Sequence, residues 1–157
     1  MIVTKAIIKK IKEETPSIRW FLLEAKDKNF QFLPGQWLDL KPEGMEKWGG
    51  YSMMGPPSDL PFFELAIRKG KNHPTTKWLY EEAKVGDTVD IQGAGGKCFY
   101  SPKDNDQVVL IMGGIGLTPL MSMARTFFKE KSLSKARMKI FYSVKNKEEW
   151  AFKDLLS

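Results

Sequence analysis

Apolar residues fall at strand spacing in the first two thirds of the chain and at helix spacing further on. Ile2 to Lys10 is rich in β-branched residues. Ile18, Trp20 and Leu22 alternate with Arg19 and Phe21, the pattern of a half-buried strand. Further short strands are predicted over Gln36–Leu40, Tyr51–Met53, Phe62–Ile67 and Thr88–Gln92. Breakers set them off: Pro34-Gly35, Gly49-Gly50, Gly55-Pro56-Pro57-Ser58 and Gly86-Asp87. One short helix, near Thr75–Ala83, interrupts the series. Short strands at this spacing predict an antiparallel barrel or sandwich.

The pattern changes at the polar stretch Ser101–Asp106, which is read as a domain boundary. A continuous apolar run follows, Val108 to Met112, as in a parallel strand covered on both faces. After Gly113-Gly114-Ile115-Gly116 a helix is predicted from Pro119, with Thr118 as N-cap and an apolar face of Leu120, Met123, Ala124, Phe127 and Phe128. A strand over Met138–Val144 and a helix over Glu148–Leu156 complete a β-α-β-α series, the opening of a doubly wound fold. The expected fold is therefore an antiparallel β-barrel or β-sandwich over residues 1–102, followed by an incomplete α/β doubly wound domain over residues 103–157.

Composition narrows the chemistry. The 157 residues are 42% hydrophobic and 28% charged, enough for a core without disulfides. The single cysteine, Cys98, leaves no pair for a disulfide or a CxxC metal site, so no metal centre is expected. The net charge of +6 suits an acidic partner or an anionic cofactor, while the scatter of the lysines suits a plain solvated basic surface, and the longest basic feature, Lys9-Lys10 with Lys12, is too short for a nucleic-acid arm. With no apolar leader and no membrane-length apolar run, the chain reads as soluble and cytoplasmic.

Gly113 to Pro119 joins a buried strand to an amphipathic helix. Such a loop suits phosphate, because glycines let backbone N–H groups approach it and the helix dipole favours an anion. It equally suits a plain strand-to-helix turn that needs glycine. It lacks the Gly-Lys-Ser/Thr ending of a Walker loop.

Taken in order, the motifs resemble those of the ferredoxin–NAD(P)H reductase family. Pro34-Gly35-Gln36-Trp37 is similar to its Pro-Gly-Gln-aromatic turn, and Tyr51-Ser52 to its flavin-contacting Tyr-Ser/Thr pair. Phe63 to Arg68 resembles its next strand, and His73 to Leu79 its pyrophosphate-holding helix start. Gly86-Asp87-Thr88-Val89, Gly93 to Phe99 and Gly113 to Pro119 resemble its remaining segments. The resemblance implies a barrel rather than a sandwich, with FAD in the barrel, NADH or NADPH as hydride donor, and an unidentified electron acceptor, protein or small molecule. It implies Tyr51 and Ser52 at the reacting ring. Flavin contacts are implied from Met53, Ala66, Ile67, Arg68, His73, Thr75 and Thr76. Nicotinamide-nucleotide contacts are implied from Gly113, Gly114, Gly116, Thr118 and Pro119. By residue chemistry alone, Tyr51 also suits barrel core, Ser52 a bond to its own backbone, and Thr76 a plain helix cap. His73, the only histidine, suits a loop role better than catalysis.

Two departures stand out. Gly49 occupies the position where the family usually has an arginine that neutralises pyrophosphate, so either Arg68, Lys69, Lys71 or Lys77 compensates, or flavin binds more weakly, or Gly49-Gly50 lets the backbone approach the cofactor. The nucleotide half supplies two strands where such a sheet has about five or six. The family's C-terminal Cys-Gly-x-x-x-Met segment is also missing. An excised piece, a shortened gene product or one part of a split protein would each explain this, and a partner chain or oligomer would complete the sheet. A flavin-binding subunit or a non-redox binding barrel that needs such a partner is thus the alternative to a self-sufficient oxidoreductase. Ser143 and Lys145 would tolerate a 2′-phosphate, and no acidic residue is expected beside them to reject one.

Overall fold

A computed structural model of the chain describes residues 3–101, 107–130 and 137–156. The polar stretch read as a boundary lies, from residue 102 to 106, outside them. Six antiparallel strands form the first unit: β1 (Val3–Thr15), β2 (Ile18–Ala25), β3 (Trp37–Pro42), β4 (Gly49–Ser52), β5 (Phe62–Arg68) and β6 (Thr88–Gly95). Their order is β4-β3-β6-β1-β2-β5. The Met53–Leu65 bridge joins the two ends, and Met54 N donates to Glu64 O at 2.9 Å beside it. That closure removes both sheet edges and makes a barrel. Helix α1 (Pro74–Glu81) packs on β3 and β5.

Strand β1 runs past the predicted end at Lys10 to Thr15. Its residues from Val3 to Ile7 pair with β6 and those from Ala6 to Thr15 with β2, with register shifts between Ile8 and Lys10 and between Glu13 and Thr15. The charged run Lys9–Glu14 carries no apolar alternation, so only pairing with β2 reveals it as strand. Strand β2 also corrects an expectation. Phe21, Leu23 and Ala25 fill the barrel with Ile8, Leu38, Leu40, Phe63, Leu65 and Ile91. Ile18 and Trp20 face the other way, into a second core. Both faces of β2 are covered, which disguises its inner face in an alternation pattern.

The second unit is a βαβ hairpin: β7 (Gln107–Gly113), α2 (Leu117–Glu130) and β8 (Arg137–Ser143), with β7 and β8 parallel. Its core of Leu110, Met112, Leu117, Met121, Ala124 and Phe127 is shared with Ile18, Met54 and Ala66 of the barrel. Polar bonds reinforce the seam. Ser122 Oγ donates to Gly55 O at 2.7 Å, and Arg125 pairs with Glu64 at 2.8 Å, itself the acceptor of Trp20 Nε1. Helix α2 starts earlier than predicted, after a 3-10 turn over Gly114–Gly116, and Phe128 is 55% exposed rather than on the packed face. The predicted helix over Glu148–Leu156 is two pieces, a 3-10 turn at Lys147–Glu149 and α3 (Lys153–Leu156), separated at Phe152 with φ 56°. Among the described residues no helix is long and apolar enough to cross a membrane.

Candidate functional site

The seam between barrel and hairpin opens into a cleft of about 390 Å³ lined by Gly50, Tyr51, Ser52, Ala66, Ile67, Arg68 and Thr76 of the barrel. Ile115, Gly116, Thr118 and Pro119 line it from the hairpin. Its size falls within the range of small-molecule sites. Three neighbours in the fold supply the barrel wall: the end of β4, the end of β5 beside it, and the first turn of α1. Breakers place these three together, since Gly49-Gly50 opens β4 and His73-Pro74 starts α1 with proline in its first turn.

Tyr51 is the best-defined member. Its hydroxyl hydrogen-bonds Thr76 Oγ1 at 2.9 Å, while its ring packs on the barrel core. The ring also lies over Gly49, where a Cβ would stand 2.8 Å from Cζ of the phenol. Tyr51 therefore fills the space a side chain at position 49 would take. Burial pushes the Tyr51 hydroxyl above its ordinary 10.0, and the Thr76 bond lowers it by less. The folded state thus binds this proton more tightly than the unfolded chain. The resulting stabilisation is complete below about pH 10 and is lost as pH rises beyond it. Urea unfolding at about pH 8 and about pH 11 should show a smaller loss for Tyr51→Phe than for the parent chain.

Arg68 stands between two clefts. It lines the one just described and also a second, of about 320 Å³, with Ile18, Gly113, Gly114, Ile115, Val144, Lys145 and Glu149. Its guanidinium lies 3.7 Å from where a Gly114 side chain would begin. Arg68 has no carboxylate partner among the described residues. Glycines 113 and 116 meet nothing within 4 Å on their Cβ side, so the turn presents open backbone.

The expected site residues divide between these places. Tyr51, Ser52, Ala66, Ile67, Arg68, Thr76, Gly116, Thr118 and Pro119 share the first cleft. Gly113 and Gly114 belong to the second. Met53 is fully buried in the barrel core and does not line the cleft. Thr75 is fully buried too, and its hydroxyl donates to Lys47 O. His73 precedes α1 without capping it through its side chain, and its Nδ1 is buried with no partner among the described residues. Thr118 is inside α2 rather than its N-cap; its hydroxyl donates to Ile115 O at 3.2 Å. Sequence reasoning missed Ile115 and Glu149. Glu149 overturns the expectation of no acidic group near Lys145, because the 3-10 turn folds it back into the second cleft.

Comparison with known proteins agrees with this architecture. A family model described as the oxidoreductase FAD-binding domain matches residues 5–100. The chain belongs to that family. A ferric reductase NAD binding domain matches residues 105–157 of this FAD-binding-domain oxidoreductase. Its fold and domains are of the ferredoxin–NAD(P)H reductase type, and the cofactors those domains indicate are FAD and NAD(P)H. Oxidoreductase NAD-binding domain-containing protein 1 of Bos taurus is 31% identical over 166 residues, covering 97% of this chain and 53% of that protein. Methane monooxygenase component C of Methylosinus trichosporium is 34% identical over 128 residues, covering 82% of this chain and 37% of that protein. The chain spans about half, or less, of the length of the curated relatives it matches. Among solved structures, the ferredoxin reductase in carbazole 1,9a-dioxygenase superposes with TM-score 0.87 at 23% identity, over 99% of this chain and 47% of that one. Phthalate dioxygenase reductase superposes with TM-score 0.82 at 21% identity, over 98% and 47%.

Proposed function

We propose that the chain carries the flavin site and the opening of the nicotinamide site of an FAD-dependent NAD(P)H oxidoreductase. Hydride would pass from nicotinamide to flavin, and electrons onward to an acceptor. The observation that carries this reading is the first cleft, where Tyr51, Ser52, Arg68 and Thr76 of the barrel face Gly116, Thr118 and Pro119 of the hairpin. These residues fit FAD: the cleft offers an aromatic wall, hydroxyls, a guanidinium with no carboxylate partner among the described residues, and an open glycine turn. Bound FAD supplies the redox chemistry, and the polypeptide supplies binding and alignment.

Each residue then has a definite task. Tyr51, held by Thr76, gives a fixed aromatic face for a ring to lie on. Ser52 offers a hydroxyl on the same wall. The first turn of α1, with Thr76, and the Arg68 guanidinium attract phosphate. Gly113, Gly114 and Gly116 bring backbone N–H groups toward the nicotinamide nucleotide, and Thr118 and Pro119 start the helix that closes the cleft. The charge of +6 suits an acidic acceptor. A visible absorption spectrum tests this reading. The chain supplied with FAD should retain it, and NADH or NADPH should bleach the flavin bands. A chain that retains no FAD ends the proposal.

One observation favours a second reading, in which a partner chain is needed for turnover. On the face of β7–β8 away from α2, Val109 is 58%, Ile111 76% and Phe141 58% exposed. Apolar residues side by side on a two-stranded sheet mark a face made to be covered. Steady NAD(P)H oxidation by the isolated, monomeric chain would dismiss this reading.

A further inference from the structure

The turn between β1 and β2 and the segment after β8 hold each other from both sides. Ser17 Oγ donates to Glu149 Oε2 at 2.5 Å, and Thr15 Oγ1 reaches the same oxygen at 3.5 Å. In the other direction, the Phe152 amide donates to Glu14 Oε1 at 2.7 Å. Each unit supplies one carboxylate and one donor to the other, across more than 130 residues of sequence. Hydrogen bonds to ionised acceptors of this kind are about twice as strong as neutral ones.

Local structure aims both carboxylates. Asn146 Oδ1 accepts from Glu149 N at 3.1 Å and fixes the 3-10 turn that points Glu149 at the barrel. Phe152 adopts φ 56°, a left-handed conformation that a bulky residue holds only when its surroundings over-determine it. Here the surroundings are the Glu14 bond and a ring 6% exposed in the shared core.

The grip leads to the chemistry by a short route. Ser17 O also accepts from Lys69 N at 2.7 Å, and Ile18 pairs directly with Arg68. Glu149 itself shares the second cleft with Arg68, Gly113, Gly114 and Lys145. Ser17 and Ile18 thus form a contiguous bonded route from Glu149 to the residue whose guanidinium stands between the clefts.

We propose that Glu149 and Glu14 form a reciprocal clasp that sets the glycine turn against the flavin cleft, with Glu149 the positioning residue. The clasp rests on the functional reading above for its purpose, though not for its existence. Donor and acceptor must be held at near-attack separation, and a misplacement of about 1 Å can cost about a hundredfold in rate.

The test uses the whole chain loaded with FAD and compares Glu149→Ala, Glu149→Gln and Ser17→Ala by amide exchange and by single-turnover flavin reduction. Glu149→Ala should speed exchange of the Phe152 and Lys69 amides by about tenfold, as local opening becomes easier. It should slow reduction at saturating nucleotide by about tenfold or more, with the half-saturating nucleotide concentration and FAD affinity changed less than about twofold. Ser17→Ala should move in the same direction. Glu149→Gln keeps an acceptor oxygen and should restore exchange and most of the rate. Unchanged exchange in Glu149→Ala and Ser17→Ala overturns the clasp. So does a Glu149→Gln variant that matches the alanine and gains activity with NADPH, which makes Glu149 a charge selector. If the parent chain retains FAD but neither nucleotide reduces it, the functional reading fails, and the exchange results alone decide the clasp.

Discussion

Gly49→Ala should weaken FAD binding by up to about tenfold, although it adds a single methyl group, because displacing the aromatic wall forfeits a ring contact of about 0.5–1.5 kcal/mol. The backbone at Gly49 carries no positive φ, so alanine is not strained there. Its Cβ, however, would stand 2.8 Å from Cζ of Tyr51. The phenol cannot yield without leaving Thr76 Oγ1, 2.9 Å away, and the core on which it packs. The wall of the cleft therefore moves. Gly50→Ala is the control, since its Cβ meets only Asp39 Oδ1 at 3.5 Å and Trp37 at 4.0 Å. Fluorescence titration with FAD should separate the two variants while circular dichroism shows both folded. Equal affinities would mean that Tyr51 does not form the flavin wall. The same geometry explains the departure from the family's usual arginine. An arginine at position 49 and this orientation of Tyr51 exclude each other; on the proposed reading the cation would come from Arg68, which lines the cleft with no carboxylate partner among the described residues.

The barrel was legible in the sequence because its turns announce themselves. Pro34-Gly35, Gly55 to Ser58 and Gly86-Asp87 bracket strands whose alternate residues, such as Leu38 and Leu40 or Val89 and Ile91, reach the core. Where a face is covered twice, the pattern fails. Trp20 and Leu22 read as the buried face of β2, yet Phe21 and Leu23 fill the barrel, because the hairpin covers the outside. Phe128 fits helical spacing, but α2 turns Leu117, Met121 and Ala124 inward and leaves Phe128 at its edge. The cleft was legible residue by residue where a motif spans one turn, as in Tyr51-Ser52 or Gly116 to Pro119. Glu149 was invisible, because its partners Thr15 and Ser17 lie more than 130 residues away and no local pattern encodes them.

The other large effect is expected at Gly35, in the Pro-Gly-Gln-Trp turn. Gly35→Ala should destabilise the chain by about 2–5 kcal/mol, the sum of a left-handed backbone penalty and overpacking. Gly35 holds φ +103°, and a Cβ there would stand 2.7 Å from Cys98 O as well as against Cε of Met123. The turn cannot shift to relieve either contact. Gln36 N donates to Leu33 O at 3.0 Å, Leu33 N to Gln36 Oε1 at 2.8 Å, and Tyr100 N to Pro34 O at 2.9 Å. Gly86→Ala separates the two causes, since Gly86 has φ +98° with nothing within 4 Å and bears the backbone penalty alone, about 1–2 kcal/mol. Urea unfolding should rank Gly35→Ala well below Gly86→Ala in midpoint. Because Met123 belongs to α2, adding Met123→Ala to Gly35→Ala should change stability by less than the two single losses summed. It should not restore the parent midpoint, because the Cys98 carbonyl is backbone and stays where the loop after β6 puts it. Full additivity would show that Gly35 and α2 do not meet, and that this turn does not hold the hairpin against the barrel.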